Sequence, residues 1–110
     1  MGWFSRKKEY KVKNMERDDA FLKDTAMLVN GLMRYTEDNE RVTKALKKLK
    51  DDFEFTVGSG LKSAEKNEKE INKLMASLKE LLKQSAWDED EAIRIIRDIG
   101  MEIDEINAKK

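Results

Sequence analysis

With 110 residues, 42% of them charged and 39% apolar, the chain can bury one real core and is too short for two domains. It has no cysteine and no histidine, which excludes disulfides, thiolate zinc sites, cysteine nucleophiles, histidine-based triads and the usual zinc, copper and di-iron sites. Net charge is zero, yet residues 1–13 carry five cations against Glu9, net +4, and residues 85–110 carry eight acids against four cations, net −4.

The chain opens MGWFSRKKEYKVK, a head of adjacent aromatics followed by cations. Trp3 and Phe4 fall outside every helical stripe that follows, and Trp, with an apolar body and one polar N–H, suits a membrane interface. Arg6, Lys7, Lys8 and Lys11 add attraction to anionic headgroups or to an acidic partner. No window holds the roughly 18 apolar residues of a membrane span, and no apolar core of a leader follows the basic start. The expectation is a head, 1–13, on a single helical domain, 14–108.

Proline is absent and glycines are few, so long helices are expected throughout. Over 14–36 the apolar positions Phe21, Leu22, Ala26, Leu28, Val29, Leu32, Met33 and Tyr35 cover about half the helix surface. Over 38–57 a narrower stripe runs Val42, Leu46, Leu49, Phe53. Over 61–85 it runs Ala64, Ile71, Leu74, Leu78, Leu81, widened by Met75 and Leu82. The last stretch, 88–108, has Ala92, Ile96, Ile99, Ile103 and Ile106 in a/d alternation, which favours four-helix packing over a two-stranded pairing. Ile99 and Leu74 are expected at the centre of the core. Gly100 lies beside the last stripe, where close packing would justify a residue that costs a helix about 1 kcal/mol.

Three breaks separate these stretches. Gly58-Ser59-Gly60 reads as a helix–helix turn. Asp88 is a natural N-cap, Glu91 can complete a capping box, and Trp87 can staple against Ala92. Residues 36–40 read two ways. They form a turn before an acid-rich first turn, or the heptad Phe21, Leu28, Tyr35, Val42, Leu49 runs straight through them. The first reading gives four antiparallel helices, about 14–36, 38–57, 61–85 and 88–108, joined by short connections. The second gives one helix over 14–57, about 65 Å long, packed on two shorter ones. The all-α, up-down four-helix bundle is the expected fold.

No constellation of catalytic chemistry emerges. The carboxylates Glu102, Asp104 and Glu105, and the pairs Asp18-Asp19 and Asp51-Asp52, sit outside the stripes, where nothing would shift their pKa. Asp88 to Glu91 breaks the calcium-loop ladder at once, with Ile93 where the loop needs glycine. Lys44, Lys47, Lys48 and Lys50 form a basic patch, but Asp51 and Asp52 follow it and no stacking groups interleave, so nucleic acid is not indicated.

Met1 to Arg6 resembles the start of the phage-shock protein A family, which opens with an amphipathic membrane-binding helix. The resemblance covers six residues and ends where 7–13 turns polar and basic. A helical hairpin of this size is also similar to the small secreted proteins with a central Trp-x-Gly turn, but here that place is Val57-Gly58-Ser59-Gly60. Neither family is assigned. The sequence expectation is a non-enzymatic interaction module without cofactor, metal or small-molecule substrate, cytoplasmic and docked reversibly at an anionic inner membrane surface by its head. It would work through a protein partner or self-association. The alternative is a secreted or chaperone-like chain that pairs its apolar faces with a partner.

Overall fold

The computed structural model describes residues 19–56 and 64–108, and every regular element among them is helical. The first helix, α1, covers 19–32 and tightens into one 3₁₀ turn, Met33–Tyr35. Three helices follow: α2, Glu40–Phe55; α3, Ala64–Leu82; and α4, Glu89–Ala108. Gly58, Ser59 and Gly60, expected to form a turn, and the head residues Trp3, Phe4, Arg6, Lys7, Lys8 and Lys11 lie outside the described residues.

The break at 36–40 is real, and the single helix over 14–57 is corrected. Thr36 closes the 3₁₀ turn, its N–H and its hydroxyl both donating to the Met33 carbonyl at 3.1 and 3.2 Å. The Thr43 hydroxyl donates to the Thr36 carbonyl, and the two threonine hydroxyls lie 2.9 Å apart. Asn39, in an extended conformation, then caps α2 by accepting from the Val42 N–H at 3.0 Å. Such a cap contributes about 1 kcal/mol, and Glu40 in the first turn complements the helix dipole. Asn39, a polar residue that a continuous helix over 14–57 would have to tolerate at its seam, is instead the start signal of a new helix.

Asp88 caps α4 as expected, with Oδ1 accepting from the Asp90 N–H at 2.9 Å and weakly from Glu91 at 3.5 Å. The capping box is not completed, because the Glu91 carboxylate turns outward to lie 3.8 Å from Arg94. Trp87 is half-buried and packs on the edge of the core.

Successive helices run antiparallel, but they are not arranged around the bundle in chain order. Arg41, at the start of α2, pairs with Glu89 and Asp90 at the start of α4, at 3.6 and 3.2 Å. At the other end Asn107 of α4 donates to the Thr56 hydroxyl at 3.4 Å. The helices α2 and α4 are therefore parallel neighbours. Helix α4 also packs along α3, while α2 and α3 face each other mainly across the core. On its other side α1 shares one groove with α3 and another with α2. Two antiparallel hairpins thus lie side by side, with α2 and α3 on opposite corners of the bundle.

This arrangement explains which positions are buried. Helix α4 meets two neighbours, so its face widens: Ile95 joins Ala92, Ile96, Ile99, Ile103 and Ile106 in the core. In α2 the narrow stripe Val42, Leu46, Leu49, Phe53 is buried as the spacing requires. In α1 the buried thread is Leu22, Thr25, Ala26, Val29 and Leu32, whereas Leu28 is 57% exposed. In α3 Leu74 is only half-buried, and Met75 and Asn67 take core positions instead. The expectation that Leu74 sits fully inside is corrected. Burial of polar groups is balanced locally. Thr25 and Thr56 each return a hydroxyl to the carbonyl four residues back, at 2.7 and 2.6 Å. Among the described residues no buried polar side-chain atom lacks a partner.

Candidate interaction surfaces

With the stripes closed on one another, the surface is where contacts with other molecules must be made. Four large apolar residues are exposed among the described ones: Met27, Leu28, Phe55 and Met101, at 72, 57, 82 and 59%. Three of them border two grooves.

The first groove, about 350 Å³, lies between α1 and α3. Met27, Leu28, Gly31 and Tyr35 form one wall and Met75 and Ala76 the other, with Arg34 and Lys79 at the rim. Arg34 is fixed over Tyr35, its guanidinium 5.0 Å from the ring centre and one N–H donating to the phenol oxygen at 3.2 Å. A side chain at Gly31 would meet nothing within 4 Å, so the groove floor is open there. The sequence reading put Leu28 in the core and passed over Met27. The signal was available, since Leu22, Val29 and Thr36 form a heptad one residue out of phase with Phe21, Leu28 and Tyr35.

The second groove, about 440 Å³, lies between the parallel helices α2 and α4. Leu49, Ile93 and Ile96 line its depth, Ala45 and Gly100 leave it wide, and Met101 stands at its edge. Lys48 and Arg97 rim one half, Asp52 and Asp104 the other. Burial pushes the Asp52 carboxyl above its ordinary value; Lys48 pulls it back, and Asp104 and Asp51 push it up again. A carboxyl raised by folding supports stability below its unfolded pKa, and that support is lost as pH rises through the folded value. Asp52 therefore weakens the fold at neutral pH. In dilute protein Asp52→Asn is expected to melt above the parent at pH 7, with the difference closing as pH falls below about 4. Paired thermal melts at pH 7 and pH 3 check this, and equal melting points at pH 7 would sink it.

The charged clusters noted in the sequence disperse. Lys44 pairs with Glu40 at 3.3 Å and Lys50 with Glu54 at 3.7 Å, while Lys48 turns to the second groove, so the basic patch is divided. Glu89 and Asp90 serve Arg41. Glu102 and Glu105 share the amide of Asn67, a buried residue the sequence reading missed, at 2.9 and 2.6 Å. Position 67 lies on the core phase between Ala64 and Ile71, so a polar residue there was the available signal. Among the described residues no three acids converge as a metal site would require. No described helix is long and apolar enough to cross a membrane.

Set against protein-family models, curated proteins and solved structures, the chain matches none. What the described residues define is a compact all-α four-helix bundle with open grooves between its helices, those of α1–α3 and α2–α4 being bordered by exposed apolar side chains.

Proposed function

We propose that the chain is a non-enzymatic helical interaction module, held reversibly at an anionic membrane surface by residues 1–13. The observation that carries the reading is the separation of roles along the chain. The four helical stripes are spent on one another, while the sequence sets Trp3, Phe4 and a net charge of +4 together ahead of them. Cations near an anionic surface contribute about 1 kcal/mol each, and two partly embedded aromatics add a few kcal/mol. After the cost of ordering the segment, the sum supports micromolar, reversible docking. Closure of the stripes within one chain also favours this reading over a chaperone-like chain that needs a partner to complete its core. The α1–α3 groove, with Met27 and Leu28 exposed, is the surface left facing a protein partner.

Co-sedimentation with phosphatidylserine vesicles tests the proposal. Full-length protein is expected to pellet at low salt and to be released as salt rises. A chain lacking 2–13 should keep its helical spectrum and stay in the supernatant. Full-length protein that ignores the vesicles at low salt, or a truncated chain that still pellets, overturns the reading.

A further inference from the structure

Gly100 has no close-packed neighbour among the described residues of a single chain. It sits mid-helix in α4, where glycine costs about 1 kcal/mol relative to alanine. The expected justification, close packing beside the Ile stripe, is absent: a side chain built there would meet nothing within 4 Å. The glycine opens instead onto the α2–α4 groove, whose lining also includes the small side chain of Ala45. A notch of this kind lets another helix approach closely.

The charges around the notch follow a simple order. Because α2 and α4 are parallel, a residue of α2 lies level with one about fifty positions later. Arg41 meets Asp90 and Thr56 meets Asn107, pairs separated by 49 and 51 residues. Lys48 is thus level with Arg97, and Asp52 is nearly level with Asp104. Gly100 falls midway between the cationic and the acidic level. Among the described residues none of these four charged side chains makes an ion pair within 4 Å, whereas Arg41, Lys44, Lys50, Lys83 and Arg94 all do.

We propose that a second copy of this chain docks antiparallel across the α2–α4 groove, about a two-fold axis through Gly100. A positive level and a negative level at equal distances from a centre are self-complementary only under that operation. Lys48 and Arg97 of each copy meet Asp52 and Asp104 of the other, while a parallel arrangement would stack like charges. Glycine faces glycine at the crossing. Phe55, 82% exposed and seven residues beyond Lys48 on the same side of α2, comes over Ala45 and Ile93 of the second copy. The arriving cations also add to Lys48 in opposing the burial, and behind it the neighbouring Asp104 and Asp51, that push the Asp52 carboxyl up. This interface involves neither the head nor the α1–α3 groove, so it stands or falls apart from the membrane reading.

Sedimentation equilibrium on the full chain at about 100 µM, where a micromolar dimer is nearly saturated, reads the result. The parent is expected to be dimeric, and a chain lacking 2–13 equally so. Gly100→Leu fills the notch and should weaken association at least about tenfold, while its melting point holds or rises in dilute solution because helix propensity improves. Two reversed chains, Lys48→Asp with Arg97→Asp and Asp52→Lys with Asp104→Lys, should each be monomeric alone and form a one-to-one dimer when mixed. A monomeric parent, a dimer untouched by Gly100→Leu, or reversed chains that do not pair on mixing would each overturn the proposal.

Discussion

Truncating Ile99 to alanine is expected to cost about 2–5 kcal/mol, the largest loss for any single core position in α4. Ile99 has no exposed surface, and it stands on the helix that packs against both α2 and α3. The cavity left by its lost methyl groups would have walls supplied by separate helices, which cannot all collapse into it without shifting the bundle. Leu74→Ala is the informative contrast. Its side chain is only half-buried, at a shallow groove beside Glu70 and Met101, and its removal opens a surface dent that water fills. A loss of about 1 kcal/mol is expected there. Urea unfolding followed by circular dichroism measures both. An Ile99→Ala loss below about 1 kcal/mol would mean that the stripes are not packed in the free chain.

The difference between those two leucine-like positions marks how far the sequence could be read. Periodicity located α2 and α4 well, because each has one unambiguous stripe. In α3 it offered two overlapping stripes, one through Leu74 and one through Met75, and spacing alone gave no reason to prefer either. What decides is the neighbour: α3 turns its Ile71, Met75, Leu78 and Leu82 edge inward, leaving Leu74 at the α3–α4 surface. The same ambiguity produced the long-helix alternative. Residues seven apart recur in two phases through α1, and only one of them is core. The turn that separates α1 from α2 is made by Thr36, Asn39 and Thr43, polar residues whose work is a set of hydrogen bonds that no hydrophobic pattern records.

The candidate surfaces were less legible still. A groove is a relation between two helices, and the ring order of the helices does not follow from their order in the chain. Lys48 and Arg97 read as members of two unrelated charged faces until α2 and α4 are known to be parallel neighbours. Gly100 was rightly marked as needing a reason, but the reason assigned, packing within the monomer, is the one the structure removes.

Asn67→Asp is expected to be the most damaging single-atom-scale change in the protein, costing about 3–5 kcal/mol at neutral pH. Asn67 is 3% exposed near the start of α3, and its amide nitrogen donates to Glu102 and Glu105 of α4 at 2.9 and 2.6 Å. Two acids on one helix are thereby joined to the neighbouring helix by a neutral group with two N–H bonds to give. An aspartate of nearly the same shape offers neither bond, and places a third negative charge between the two carboxylates with little access to water. Asn67→Leu separates the two effects. It forfeits the bonds but adds no charge, and Glu102 and Glu105 lie far enough out to recover water, so a loss of about 1–2 kcal/mol is expected. The pH dependence carries the sign. Burial and the two glutamates raise the new carboxyl above its unfolded value, so the charge part of the variant's deficit is absent below about pH 4, where the protonated carboxyl can also give back one bond, and grows as pH rises through the folded value. Unfolding free energies for the parent and both variants at pH 3 and pH 7 test this. An Asn67→Asp deficit that does not shrink at low pH, or that merely equals the deficit of Asn67→Leu, would mean that the amide's place can be taken by a charge, and that α3 and α4 are held there by packing alone.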